Sequence, residues 1–239
     1  MTGRLPTVCI LAGGRGTRLG ARVADRPKPL LEVAGEPFLF HQLRLVAEHG
    51  ARHAVLCVGY LGELIEACVG AQRYGITIDY SYDSPELGGT LGAIRRALPF
   101  LGERFLVLYG DTYLRLDYGQ AVRFWERSGM TGLMCVLRNE GRWDTSNVLY
   151  GDGRVLAYNK RSPTADMCWI DYGLGGLCAD AVTRGESDLA ALYQELAARG
   201  DLCGYEVTER FYEIGTPDAL VETEAFLRGE AIASRIAGA

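Results

Sequence analysis

The stretch Leu11-Ala-Gly-Gly-Arg-Gly-Thr-Arg-Leu-Gly20 follows the apolar run Thr7-Val-Cys-Ile-Leu11 and precedes Arg26-Pro-Lys-Pro-Leu30, and it constrains the fold more than any other part of the chain. A short apolar run of this kind suits a strand buried on both faces of a parallel sheet. Where it runs out, Gly13, Gly14 and Gly16 let the backbone turn sharply and present bare N–H groups. Arg15, Arg18 and Lys28 add positive charge. Such a loop can hold the phosphates of a nucleoside triphosphate. A strand followed by a few glycines is common in α/β proteins, so the rest of the chain has to decide the reading.

Downstream, apolar runs alternate with amphipathic segments, which predicts strand-helix-strand units and a mostly parallel sheet. Phe38 to Glu48 has helical spacing, Ala54 to Val58 reads as a strand, Gly62 to Val69 as a helix and Ile76 to Tyr82 as a strand. The next helix starts near Thr90, carries Leu91, Ile94, Ala97 and Leu98, and is expected to end at Pro99. Phe105-Leu-Val-Leu-Tyr109 reads as a central strand that stops at Gly110-Asp111. This puts a carboxylate where open α/β sheets bind ligands, although an aspartate there can also cap a turn.

After a helix over Tyr118 to Glu126 and a strand over Gly132 to Leu137 the pattern changes. Ser146 to Tyr150 and Arg154 to Tyr158 read as a hairpin through Gly151-Asp-Gly153, and Trp169 to Leu177 is another strand-like run. This region is expected to form a lid or shelf on the nucleotide-binding half. A helix over Leu189 to Ala198, strands over Leu202 to Val207 and Phe211 to Ile214, and a helix from Pro217 to about Leu227 complete the series. The residues from Glu230 to Ala239 read as a loose end or frayed helix.

Composition narrows the function classes. With 239 residues and 48% hydrophobic content the chain can bury a sizeable core, and the length suits one large α/β domain ahead of two small ones. A formal net charge of −5 argues against a nucleic-acid surface, so an anionic ligand must be held by a local cluster of cations. The seven cysteines have no CxxC spacing and sit mostly in apolar runs, as reduced core residues do. No stretch has the length of a membrane span and the amino end has no apolar leader, so a cytoplasmic location, away from the membrane, is expected.

The order of elements resembles the sugar-1-phosphate nucleotidylyltransferases. The match runs from Leu11–Leu19 through Pro27–Leu30, Gly89–Ala93, Gly110-Asp111 and Lys160 to Glu213-Ile-Gly-Thr-Pro217. Within that family the short length, the run Leu56-Cys-Val-Gly-Tyr-Leu-Gly-Glu63 and the Gly89–Ala93 element look most like the heptose-1-phosphate guanylyltransferases, with the N-acetylmuramate-1-phosphate uridylyltransferases next. The resemblance implies the nucleotide-diphospho-sugar transferase fold: α/β, a Rossmann-like, mostly parallel sheet flanked by helices, with an inserted β-hairpin lid for the sugar. Residues 1–239 would be a single domain, with a nucleotide-binding half over about 7–137 and a sugar-binding half over about 138–228.

Implied roles follow residue by residue. Leu11, Ala12, Gly13, Gly14, Arg15, Gly16, Thr17 and Gly110 would hold the nucleotide, with Gly89 and Thr90 at the base. Arg18, Lys28 and Asp111 would be catalytic, and Asp111 and Glu213 would hold Mg²⁺; the family usually has aspartate at the latter position. Lys160 would bind the phosphate of the sugar 1-phosphate. Many members have Glu-Lys-Pro there, whereas this chain has Asn159-Lys160-Arg161, so sugar contacts do not transfer from those members.

Asn147, Asn159 and Asp171 are the local candidates for the sugar side, and Asn139 and Trp143 for substrate choice, with Trp143 and Trp169 alternatively core. A carboxylate at Asp83 or Glu86 would suit guanine, whose Watson–Crick edge offers two donors, though both also read as solvated loop residues. The implied partners are a nucleoside triphosphate and a sugar 1-phosphate, and the implied state a monomer or small homo-oligomer. No hexapeptide repeats follow the catalytic region, so no fused acyltransferase is expected.

Two rival readings have their own signatures. A dinucleotide-dependent oxidoreductase needs an acid at the end of the second strand, where this chain has Val58-Gly-Tyr60. A catalytically silent sensor or regulatory subunit would not need both carboxylates and all the candidate cations.

Overall fold

In the computed structural model, which describes residues 4–23, 25–83, 88–183 and 188–229, the first strand is β1 (Thr7–Leu11), with Val8, Cys9 and Ile10 fully buried. The glycine loop leads into a 3₁₀ turn over Thr17–Val23, and a second 3₁₀ turn spans Lys28–Leu30. A two-residue ribbon, β2 (Glu32–Val33) and β3 (Glu36–Pro37), precedes α1 (Phe38–Glu48). Then come β4 (His53–Val58), α2 (Gly62–Val69), β5 (Gln72–Arg73), β6 (Ile76–Tyr82), α3 (Gly89–Leu101) and β7 (Arg104–Tyr109). The second half holds β8 (Thr112–Tyr113), α4 (Tyr118–Ser128), β9 (Gly132–Arg138), β10 (Val148–Gly151), β11 (Arg154–Tyr158) and β12 (Trp169–Cys178). It closes with α5 (Ala179–Val182), α6 (Leu189–Ala198), β13 (Leu202–Val207), β14 (Tyr212–Glu213) and α7 (Pro217–Leu227). Glu86 and the segment from Glu230 onward lie outside the described residues.

Local chemistry sets several helix boundaries. Asp117 caps α4 by accepting from Gln120 N at 2.8 Å, and Gly129 ends it in the left-handed region. Thr216 caps α7 by accepting from Ala219 N at 3.2 Å, with Pro217 in the first turn. The expected stop of α3 at Pro99 is corrected: the helix continues through it to Leu101 and ends at Gly102, whose φ is +74°. Leu101 is almost fully buried, so the last turn gains apolar contact that outweighs the missing proline N–H.

One ten-stranded sheet runs in the order β10-β11-β13-β9-β12-β7-β1-β4-β6-β5. Its parallel part is the run β7-β1-β4-β6, with β9 and β13 parallel to one another further along. Antiparallel β12 joins the two parallel groups by pairing with β7 on one side and β9 on the other. The hairpin β10–β11 extends the far edge as a shelf, with Asp152-Gly153 at its turn.

Alternating side chains bury the sheet on both faces. Val8 and Ile10 pack in one core with Leu39 and Leu43 of α1, Ile65 of α2 and Trp125 of α4. Cys9 faces the other core, with Leu91 and Ile94 of α3 and Leu192 and Leu196 of α6. Full burial of each such side chain is worth about 1.5–3 kcal/mol, which fixes the register of β1 and hence the loop that follows it. A smaller cluster of Leu19, Val23, Phe38, Ile214 and Leu220 pins α7 beneath the first 3₁₀ turn. All seven cysteines are free, and among the described residues no helix is long and apolar enough to cross a membrane.

Candidate active site

Leu11, Cys57 and Tyr109 lie in register at or next to the carboxyl ends of the parallel strands β1, β4 and β7, and a cleft of about 470 Å³ opens over these ends. Of the residues expected at the nucleotide, Leu11 through Gly14, Gly16, Thr17, Gly89, Thr90 and Gly110 all line it, together with Arg18, Lys28 and Asp111. Arg15 does not. Its guanidinium lies 5.8 Å from the centroid of the Tyr60 ring. Pro29, Ala93 and Gly215, which belong to motifs quoted above, also line the cleft, as do Cys57 and Tyr109, which carry no site motif by which the sequence would have singled them out.

The glycines of the loop differ in what they face. A methyl group on Gly13 would meet Asp83 Oδ2 at 2.7 Å and the Gly59 nitrogen at 3.2 Å, so that position is closed by protein. Among the described residues a methyl on Gly14 would meet no protein atom within 4 Å, and its backbone lines the cleft. Gly110 is closed again: its Cβ would sit 2.8 Å from the Leu11 oxygen, because the Asp111 turn passes directly over the end of β1. Asp83, half-exposed at the end of β6, accepts from Arg96 Nη2 at 2.5 Å. Thr90 accepts from Leu189 N at 3.0 Å, tying the first turn of α3 to α6.

Charge converges on the turn after β7. Lys28 is 7% exposed although it is a lysine, with extended Pro27 before it and Pro29 after it. Its Nζ donates to Asp111 Oδ2 at 2.5 Å. Glu213 stands on the neighbouring ribbon, where β14 pairs with β8 and Glu213 lies opposite Thr112. Burial pushes the Glu213 carboxyl above the ordinary glutamate value, and the nearby Asp111 charge pushes the same way, while Lys28 and Arg18 oppose both. Arg18 and Glu213 flank Gly215 from two sides, within 3.4 Å and 2.9 Å of where its Cβ would be.

The candidates for the sugar side form a second group that does not line the cleft. Asn147, nearly fully buried, accepts at Oδ1 from Asp171 N at 3.2 Å, and its backbone oxygen accepts from Asn159 N at 2.9 Å. Asn159 Oδ1 accepts from Arg161 N and Ser162 N, which shapes the turn carrying Lys160. Asp171 lies at a register break in β12 and accepts from Gly173 N at 3.0 Å, with Gly173 at a φ of +100°. Burial raises the Asp171 carboxyl above the ordinary aspartate range, with the Gly173 N–H and the Lys160 charge pulling it back. Burial raises the hydroxyl of Tyr109, which lines the cleft, and the Asp171 charge pushes it further the same way, so the two groups adjoin.

Asn139 and Trp143 divide differently from the expectation. Asn139 is fully buried and its amide is spent on Trp143 N, Asp144 and Ser146, so it folds its own loop. Trp143 is 43% exposed, with the Arg210 guanidinium 4.1 Å from its ring centroid. Trp169 is partly buried and meets Tyr150 edge-on at 5.5 Å.

Residues 8–162 match the MobA-like NTP transferase domain. The chain belongs to that family. This MobA-like NTP transferase is 30% identical over 218 residues to the mannose-1-phosphate guanylyltransferase catalytic subunit beta of Danio rerio, covering 87% of this chain and 61% of that one. It therefore spans about three fifths of the length of that relative. It is 25% identical over 225 residues to the glucose-1-phosphate cytidylyltransferase of Salmonella typhimurium, covering 82% and 86% of the two chains. The MobA-like NTP transferase shares its fold with HddC from Yersinia pseudotuberculosis, at a TM-score of 0.77 and 22% identity over 93% of this chain and 100% of that one.

Proposed function

We propose that the protein transfers a nucleotidyl group from a nucleoside triphosphate to a sugar 1-phosphate, giving a nucleotide sugar and pyrophosphate, with GTP and a heptose or hexose 1-phosphate as its pair. The observation that carries this reading is the convergence of Arg18, Lys28 and Asp111 with open glycine backbone in one cleft at the strand ends. An oxygen of the sugar phosphate attacks the α-phosphorus, the bond from that phosphorus to the bridging oxygen breaks, and pyrophosphate leaves. Two polyanions must be brought together, so positioning and cationic stabilisation carry the rate.

Backbone N–H groups of Gly13, Gly14 and Gly16 cradle the triphosphate, Lys28 orients it, and Arg18 neutralises charge that develops at the α-phosphate. Lys160 holds the attacking phosphate, and Asn147, Asn159 and Asp171 shape the sugar side around it. Residues about 7–137 thus act as the nucleotide half and about 138–228 as the sugar half of a single domain. Gly89 and Thr90 lie against the base, and Asp83 accepts from the donor edge of guanine. The guanylyltransferase relative supports that preference. The free cysteines suit action in the cytoplasm.

Asp111 and Glu213 fit a magnesium ion. They are hard oxygen donors, close enough that the Asp111 charge adds to burial in disfavouring the ionised Glu213, with Lys28 and Arg18 opposing, and a divalent cation relieves that repulsion. Among the described residues no third Asp, Glu, His or Cys joins them, which suits an ion that keeps water and substrate phosphates in its shell. Bound there, Mg²⁺ supplies charge neutralisation on the phosphates.

The test is a panel of nucleoside triphosphates against sugar 1-phosphates, read by pyrophosphate release. GTP with a heptose or hexose 1-phosphate is expected to give the highest kcat/KM. Turnover with UTP alone would overturn the base assignment, and no pyrophosphate from any pair would overturn the reaction.

A further inference from the structure

The turn that presents Asp111 is held from behind by a residue on another element. Gln42 lies on α1, is 1% exposed, and directs its amide nitrogen at two backbone carbonyls. Nε2 donates to the Tyr109 oxygen at 2.9 Å and to the Thr112 oxygen at 2.6 Å. These carbonyls bracket Gly110-Asp111, so one side-chain amide ties the last residue of β7 to the first of β8 across the turn between them.

The amide has only one workable orientation. Reversed, Oε1 would face two carbonyl oxygens and neither carbonyl would keep its donor. As it stands, both N–H groups are used and Oε1 has no hydrogen-bond partner among the described residues, a cost tolerated at the buried side chain to keep the two donors in place. Three other bonds close the same turn. Gly110 N donates to the Leu11 oxygen at 3.0 Å, Thr112 Oγ1 to the Tyr109 oxygen at 3.2 Å, and Ile214 N to the Asp111 oxygen at 3.0 Å. The last of these joins the turn to the strand of Glu213, which pairs with Thr112. Gln42 therefore braces the segment from which Asp111 projects and against which Glu213 is registered.

We propose that Gln42 is a positioning residue for the Asp111–Glu213 carboxylate pair, setting its affinity for a divalent cation through the turn without touching the ion. The inference rests on the assignment of that pair as the metal site. It predicts that isosteric removal of the amide weakens metal binding while leaving metal-free nucleotide binding in place, a split that a general loss of fold would not give.

The experiment titrates Mn²⁺ into the full chain and reads bound metal directly by electron paramagnetic resonance, for the wild type and the Gln42→Met, Gln42→Glu and Asp111→Asn variants. Circular dichroism confirms folding, and GTP affinity is measured in EDTA. Gln42→Met is expected to lower Mn²⁺ affinity at least tenfold with metal-free GTP affinity within twofold of wild type. Gln42→Glu keeps the volume if the methionine variant does not fold. Its ionised carboxylate repels both carbonyls, whereas its protonated form donates once, so its Mn²⁺ affinity relative to wild type is expected to recover as pH falls. Wild-type Mn²⁺ affinity in whichever Gln42 variants fold, with binding lost in Asp111→Asn, would overturn the role of Gln42. Unchanged binding in Asp111→Asn would overturn the metal assignment on which it rests.

Discussion

Lys28 Nζ and Asp111 Oδ2 lie 2.5 Å apart, 83 residues apart in the chain, with the lysine nearly enclosed and the aspartate side chain 30% exposed. The lysine is a built-in counter-ion for a carboxylate that a divalent cation would share. Replacing it by methionine is expected to cost roughly 1–3 kcal/mol, below the value for a fully enclosed pair because Asp111 keeps water contact. Mg²⁺ should restore part of that loss, so the rise in Tm on adding it should be larger for Lys28→Met than for wild type. Thermal unfolding with and without Mg²⁺ checks this, and equal rises would refute it.

Asp111→Asn separates chemistry from fold. The amide keeps the volume and its Oδ1 can still accept from Lys28, but the enclosed lysine loses its counter-ion, so Tm should fall by a few degrees with the fold retained, while pyrophosphate release should fall by at least about three orders of magnitude, or roughly 4 kcal/mol at the transition state. A variant that turns over normally would sink the role given to this carboxylate.

Gly13 and Gly14 are adjacent and predict opposite outcomes. Gly14→Ala adds a methyl that meets no atom of the described residues within 4 Å, so stability should stay within about 0.5 kcal/mol while KM for the nucleotide rises. Gly13→Ala drives a methyl against Asp83 and the Gly59 backbone, so it should unfold more easily, by about 1–3 kcal/mol. Chemical denaturation paired with steady-state kinetics distinguishes them, and a reversal of the order would show that Gly13, not Gly14, is the one open to ligand.

The two glycines also mark where the sequence stops being legible. Helices such as Phe38–Glu48 and Gly62–Val69 could be read to the residue because burial stripes, glycines and prolines bound them. The glycine loop could be recognised, but which glycine faces protein depends on Asp83, some seventy positions away. The insertion of antiparallel β12 between β7 and β9 left no local trace, since strand order is set by crossovers and not by periodicity. The β8–β14 ribbon that brings Glu213 beside the Asp111 turn is two residues wide on each side, too short for any alternating pattern. Asn139 reads from the sequence only as a candidate for substrate choice, and the bonds by which its buried amide holds its own loop have no sequence signal.

The loop that begins at Asn139 is clasped from outside. Arg210 donates to both Glu222 oxygens at 2.7 and 2.9 Å and lies between Trp143 and Tyr212, 4.1 and 4.6 Å from their ring centroids. Lysine cannot reproduce the planar fork or the stacking, so Arg210→Lys should loosen the loop over 139–147. Limited proteolysis in that loop should quicken and KM for the sugar 1-phosphate should rise more than KM for the nucleotide. Equal changes in both constants would detach this clasp from the sugar side.

Asp171 offers a pH signature. Its carboxyl faces Lys160, Tyr109, Tyr158, Tyr193 and Cys135, and burial raises its folded pKa above the 3.8 of an unperturbed aspartate. For a group raised in the folded state, the stabilising contribution is complete below the unfolded value and is lost as pH climbs through the folded one. Raising the pH through the folded value therefore puts a charge on an enclosed carboxyl that is neutral on the acid side of that value. Asp171→Asn keeps an acceptor for Gly173 N and removes that charge. Its Tm should exceed the wild-type Tm by a few degrees at pH 8, with the gain shrinking toward zero at pH 3.5, because about 1 kcal/mol shifts Tm by roughly 2–4 °C in a chain of this size. The same variant should bind sugar 1-phosphate more weakly if the charge is kept for function at the expense of stability. A gain in Tm that does not vary with pH would show that the carboxyl titrates as it does in the unfolded chain.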